Sequence, residues 1–337
     1  MIRKGTLLLV VLLFSAMPFF AASLSSKAVL IVTNKGDHTM GIIDPESGRE
    51  MATVDEGGVT GHELIASPDG RFAYVPIYGN SGVGKPGTNG TNMVVIDIAA
   101  RKLSGNVDFG KGVRPHCPLF GPTNGLLYVT TELENSVSII DPKSLKIVGS
   151  VPTGQPESHM LVISHDGKRG YTANVGPGTV SVLDLQARKT IAIIPIAKIT
   201  QRIAISNDDR WVFTADQTTP RLAVIDTTNP AHKVKQWVEL PGTAYGTAAT
   251  RDGRWLVAAI QKTNQVAAVD LRTMKVAHII DVPKIPQEVL IRPDNKVAYV
   301  SCDVSGQVAE INLADWKVNR LIRAGKSVDG LAWAAPQ

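Results

Sequence analysis

Cysteine is nearly missing from this chain: Cys117 and Cys302 are the only two among 337 residues. Two thiols cannot make a disulfide framework. An exported protein could still pair them, but the repeat register set out below puts them in distant units, so both are expected free. Aromatic residues are sparse, at 5%. Charge of one sign is scarce too: the formal net charge is +5, of which Arg3 and Lys4 supply two, and the rest is scattered without a basic block. A clustered basic stripe is the usual footprint of nucleic-acid binding, and without one nucleic acid is not an expected partner. Long apolar runs are confined to the N-terminus, where Leu7 to Phe20 is broken only by Ser15 and Pro18. Arg3 and Lys4 precede that run and Ala21, Ala22, Ser23 and Ser25 follow it, the pattern of a secretory signal peptide. A retained anchor is the alternative, but the run is short of the ~20 apolar residues that a spanning helix needs. The expectation is a signal peptide over residues 1–25, then one domain over 26–337, exported to the periplasm or secreted, without a transmembrane segment and monomeric.

No long amphipathic helical pattern occurs either. What fills the chain is a repeat. An apolar run leads into a turn, as in "LIASPDG" (Leu64–Gly70) and "LVISHDG" (Leu161–Gly167). A β-rich run follows, then a third run ending in Asp or Asn, then a fourth such as "KIVGSVPTG" (Lys146–Gly154). The third runs end at Asp44, Asp97, Asp141, Asp184, Asp226, Asp270 and Asn312, with intervals of 53, 44, 43, 42, 44 and 42 residues. Four short strands in a unit of about 40–45 residues is the β-propeller period, and short alternating strands with turn residues between them argue for an all-β fold. The mature chain opens with a second-type run (Ala28–Asn34) and closes with a first-type run (Asp329–Ala335). Joined, the two complete one blade and close the ring, which protects sheet edges. The expectation is a seven-bladed β-propeller of four antiparallel strands per blade.

One slot in the repeat carries the chemistry. Where each innermost strand begins, at one mouth of the central channel, the seven blades place His62, His116, His159, Gln201, Tyr245, Gln287 and Asp329. Four blades do without histidine, so the fold does not demand it there. Each imidazole could bond its own blade, as buried polar groups usually do. Three together could instead hold zinc, copper, iron or nickel, or bind a polar ligand directly. Arg114, Glu157 and Arg202 fall near the same mouth; arginine there suits a carboxylate or phosphate. Together with Tyr245 and the three histidines they form the expected ligand-binding set. Glu63 and Cys117 follow histidines, and strand alternation should turn them aside. The 53-residue interval reflects an insertion of about ten residues in Ile77–Asn92, long enough to suggest a functional loop; it rises from the histidine face and could act as a lid. His165 reads as a turn residue, and no residues form a nucleophile–base–acid set or a haem-attachment CxxCH. No catalytic residue is assigned.

"IVTN" (Ile31–Asn34), "YVTT" (Tyr128–Thr131) and "YTAN" (Tyr171–Asn174), each leading through a short loop to a V-x-x-[IL]-D run, resemble the YVTN-repeat β-propellers across the whole mature chain. The resemblance implies the fold and leaves function open. Similar propellers include exported binding proteins, surface-layer proteins and the haem d1 domain of nitrite reductases, and nitrous-oxide reductase has one with a histidine-liganded copper cluster. The expected function is therefore an exported, non-catalytic binding protein for a small ligand or a periplasmic protein. Two alternatives stay open: a redox protein holding copper, zinc or noncovalent haem on His62, His116 and His159, and a lactonase- or lyase-type enzyme.

Overall fold

The computed structural model describes residues 27–336, so the expected signal peptide lies outside the described residues. Within them, 28 strands form seven four-stranded antiparallel sheets, with one short 3-10 turn at Glu132–Glu134. Six sheets use consecutive strands. In the remaining one, Val328–Ala334 pairs with Val29–Asn34, from Val29 opposite Ala334 to Asn34 opposite Val328. The incomplete units at the two ends of the chain do close the ring.

Burial follows strand position. The second strands, such as Val29–Asn34 and Trp255–Ile260, are buried along their whole length because sheets cover both their faces. The outermost strands, such as Lys275–Asp281, alternate between exposed and buried or half-buried, as expected of sheets wetted on one side. Neighbouring blades pack apolar faces together. Val137, Ile139 and Val151 of one blade, for example, join Leu161, Tyr171 and Val182 of the next in one cluster. The core is thus a ring of inter-blade layers.

The repeated turn has a local cause. In "SPDG" the Ser67 hydroxyl donates to Asp69 and accepts the Phe72 amide, and Ser164, Ser206 and Thr250 serve the same role in their blades. The fourth turn position lies in the left-handed region, with φ of 69° at Gly70, 70° at Gly167, 57° at Asp209 and 59° at Asn295. Only Gly, Asn and Asp enter that region readily, which is why the repeat varies only among them. The Asp or Asn ending each third strand accepts a backbone amide two or three residues on, as at Asp44, Asp141 and Asn312.

Cys117 lies on the innermost strand of the third blade and Cys302 at the end of a second strand in the seventh, where blade one contains the chain's first described strand. Both are buried and free. Native protein should therefore show no fast-reacting thiol and denatured, unreduced protein two; a thiol count of zero would overturn the register. Removing Val328–Gln337 takes away the strand that closes the ring. That truncation should abolish the cooperative thermal transition, and a truncated protein that melts like the full chain would show that the closure is dispensable.

Candidate functional site

The site is built by an irregularity shared by all seven blades. Each innermost strand contains one more residue than its partner over the same stretch. Ser158 faces Asn174 while Met160 faces Ala173, and the others repeat the offset: Pro115/Pro118 against Thr131/Val129, Thr200/Ile203 against Asp216/Thr214, Ala244/Thr247 against Ile260/Ala258, Pro286/Val289 against Cys302/Val300. The closing strand bulges between Val328 and Leu331, and the histidine-bearing second blade is bulged between Gly61 and Ile65. Such a bulge re-aims side chains and frees a backbone amide. Hydroxyls on the second strands take up those amides: Thr130 accepts from Cys117, Thr33 from Gly330 and Ser301 from Glu288. Thr33 and Thr130 then donate to the carbonyls of His62 and His159 in the next blade. The threonines of "IVTN" and "YVTT" thus stitch the histidine slot together.

The bulge also corrects an expectation. Simple alternation would turn Glu63 and Cys117 aside, yet Glu63 enters the hub. There Arg202, 2% exposed, donates from Nη1 to Glu63 at 2.5 Å and Glu288 at 2.6 Å, and from Nη2 to Asp329 at 3.4 Å. Its guanidinium lies 4.7 Å over the Tyr245 ring, whose hydroxyl accepts from Gln201. Lys35 meets Asp329 at 2.9 Å and Asp303 at 3.7 Å. In the second, fifth and seventh blades a second residue, Glu63, Arg202 and Glu288, therefore enters the hub.

The three histidines do converge. His116 and His159 lie against each other, tilted by 33° with centroids 3.6 Å apart, and His62 sits edge-on to His116 at 5.6 Å. Tyr78, fully buried at the end of the second blade's second strand, packs against all three rings at 4.7–5.9 Å. Its hydroxyl donates to Glu132. Glu132 also lies 3.8 Å from His159 Nδ1, close enough for attraction but too far for a hydrogen bond. Arg114 binds Glu132 at 3.2 Å and the insertion through Asn89, the Lys85 carbonyl and the Gly82 carbonyl. Glu157 accepts the Gly176 amide and stands so close to Gly84 that a Cβ there would lie 2.5 Å from its oxygen. The insertion is thus folded down beside the histidines, held there by Arg114 and by Glu132, which accepts the Gly84 amide at 3.3 Å, while Glu157 lies against Gly84. His165 stays remote, paired at an exposed position with Asp209 of the next blade.

Tyr78, Glu132, Glu63 and Glu288 were not anticipated as site residues. Tyr78 and Glu132 did carry a trace in sequence: each ends or follows the second run of a blade, beside the slot.

Protonation follows from burial. Burial pushes the His62 pKa down to about 3 and holds His116 and His159 below their ordinary value, with mutual repulsion adding for His116. All three are neutral imidazoles at neutral pH. Burial raises Glu63, and raises Glu288 to about 7 and Glu56 to about 7. Burial also works to raise Asp329, but Lys35 and Arg202 more than offset it and hold the group low. Cys117 is pushed up to about 12 by burial, so it is a thiol and not a nucleophile.

Neutral imidazole is the donor that borderline transition metals favour, and the Nδ1 atoms of His116 and His159 are buried without a hydrogen-bond partner. The donor chemistry therefore fits a metal ion. The geometry does not yet: among the described residues no group of three His, Cys, Asp or Glu side chains is arranged to hold one. The His116–His159 pair would have to rotate apart. For haem the fit is poorer, since the large channel cavity, about 790 Å³, opens on the face opposite the histidines and is lined by none of them.

The chain matches the family model of the Cytochrome D1 heme domain over residues 122–243, less than half its length. That segment includes His159 and Arg202 but neither His62 nor His116. No curated protein is matched. Among solved structures the chain is similar to Kuenenia stuttgartiensis hydrazine synthase, at TM-score 0.72 and 19% identity over 85% of this chain and 92% of that one. It is similar to a functionally unknown protein of Desulfotomaculum acetoxidans, at TM-score 0.75 and 11% identity over 92% and 99%. It is also similar to the periplasmic gluconolactonase PpgL of Pseudomonas aeruginosa, at TM-score 0.71 and 18% identity over 92% and 99%. These likenesses establish the propeller fold.

The buried groups predict the shape of the acid limb of stability. The unfolded chain protonates histidine near 6.5, whereas the folded chain keeps these three neutral, so their contribution is lost as pH falls below about 6.5. The buried glutamates act oppositely between about 4.5 and 7, because the folded chain holds protons that the unfolded chain has released. The two effects partly cancel down to about pH 4.5, and below it the histidine effect, up to about 1.4 kcal/mol per histidine per pH unit, adds to the loss from carboxyls held low, such as Asp329 and Glu132. Denaturant midpoints between pH 7 and 3.5 should fall steeply below 4.5 in the native sequence and more gently when His62, His116 and His159 are all glutamine. Parallel limbs would show that the rings are not held neutral.

Proposed function

We propose that this chain is an exported, non-catalytic binding protein that takes a small ligand at the histidine mouth of its channel, beneath the Gly79–Gly90 insertion. The observation that carries this reading is the pair of buried, unpartnered imidazole nitrogens on His116 and His159. Buried polar atoms in native proteins are nearly always satisfied, so an orphaned pair at a channel mouth is best accounted for by a bound species. Neutral imidazole nitrogen offers a lone pair to a metal ion or to a hydrogen-bond donor. Tyr78 packs against the rings, and Arg114 and Glu132 hold the insertion through contacts that can be broken and remade. Glycines at 79, 82, 84, 87 and 90 give that segment the freedom to open.

A second reading, a metal- or haem-dependent redox protein, draws on the partial match to the Cytochrome D1 heme domain. It would use the same three histidines. The lactonase-type alternative rests on fold likeness alone, which does not fix function.

Native mass spectrometry of protein purified from an exporting host, with metal analysis of the same sample, tests the proposal. The native sequence should show an excess mass that denaturation releases, and metal content then separates ion from organic ligand. Replacing His62, His116 and His159 by glutamine, which two blades already carry in this slot, should abolish the excess while the thermal transition stays cooperative. A triple variant that no longer folds, or one that retains the excess mass, would return the histidines to a purely structural role.

A further inference from the structure

The opposite end of the channel has a different character. Past the slot, the innermost strands line the cavity of about 790 Å³ with apolar side chains, including Leu161, Ile203, Val289 and Leu331. That is within the ~300–1,000 Å³ range of small-molecule sites. At its inner end stand Glu63, Glu288 and Thr247. The Thr247 hydroxyl is buried with no hydrogen-bond partner.

Charge at this end does not balance. Arg202 serves Glu63, Glu288 and Asp329, and Lys35 serves Asp329 and Asp303: four acids on two bases. Lys35 stands against the two aspartates, so Glu63 and Glu288, the pair that faces the cavity, divide the single Arg202 guanidinium between them. A buried carboxylate without a full partner is costly. An ammonium group has three N–H donors, matching two carboxylates and one hydroxyl.

We propose that this cavity is a second binding site, separate from the histidine mouth, for a primary amine carrying an apolar body. The ammonium head would rest on Glu63, Glu288 and Thr247, and the body would lie along the aliphatic walls. Cys117 and Met160 also border the head position, but as a thiol and a thioether they contribute packing and no charge. Arg251, the charged group at the outer rim, is exposed to solvent and does not face the head. Glu288 faces Arg202, Glu63 and Asp329, and burial raises its pKa to about 7, so amine binding should drive proton release from the glutamate pair. Affinity for the amine should therefore rise between pH 6 and 8.

Isothermal titration with octylamine, octanol and octanoate separates head from body. Octylamine should bind about tenfold tighter than octanol, the scale of one charge-assisted contact, and octanoate more weakly than either. Proton release at pH 6 should appear as a dependence of binding heat on buffer ionisation for the amine alone. Glu288→Gln should remove most of the amine's advantage and leave octanol within about threefold. If Glu288→Gln does not fold, Thr247→Val should still reduce amine affinity relative to octanol. Equal affinities for the three probes, a preference for octanoate, or an unchanged amine preference in both variants would overturn the assignment.

Discussion

One extra residue in each innermost strand is the constraint on which the hub depends. A regular strand would present alternate side chains to the axis and hide the rest between blades. The bulge places two consecutive residues on the axis side, so seven blades contribute an outer ring of slot residues and an inner ring of their successors. The cost is an unpaired amide in each blade, and hydroxyls on the second strands meet it at Cys117, Gly330 and Glu288. The same hydroxyls reach the following blade's carbonyls at His62 and His159. The device that opens the site is therefore also one that ties blade to blade.

The hub holds a buried charge cluster centred on Arg202. Burying a guanidinium costs several kcal/mol unless it is paired and hydrogen-bonded, and Arg202 is paired three times over. The acids come from blades remote in sequence, with Glu63 and Asp329 lying 139 and 127 residues from Arg202. No apolar contact would fix the rotational register of the blades about the axis so narrowly. Gly330 and Gly246 complete the inner ring where any side chain would strike backbone: a Cβ on Gly246 would lie 2.0 Å from the Gln287 carbonyl. Small residues there let the charged ones meet.

Much of this was legible in the sequence. Blade number, strand order, ring closure and the histidine slot all follow from a period and from two incomplete ends, because each depends on local patterning that repeats. The inner ring was not legible. Glu63 and Cys117 were assigned away from the channel by strict alternation, and alternation fails where a bulge intervenes. Nothing local marks that bulge, since its signature is the pairing offset between two strands. Glu288, Tyr78 and Glu132 escaped for a related reason: their partners Arg202, Glu132 and Tyr78 come from other blades. Arg114 and Glu157 were placed at the right mouth, but a sequence could not show that the insertion would occupy them.

The two ends of the channel divide the chemistry by electrostatic logic. Desolvation penalises whichever form is charged, so it leaves the imidazoles neutral at one end and pushes the carboxyls toward protonation at the other. Arg202 stands between the two ends, and its field disfavours positive charge on His62, His116 and His159 while favouring negative charge on Glu63 and Glu288. Burial, reinforced by Arg202 and Lys35, thus keeps the histidine end receptive to electron-pair acceptors. Any change in the ionisation of the glutamate pair alters how much of that field is compensated before it reaches the histidines. Burial remains the larger cause at both ends; Arg202 adds to it at the histidines and opposes it at the glutamates.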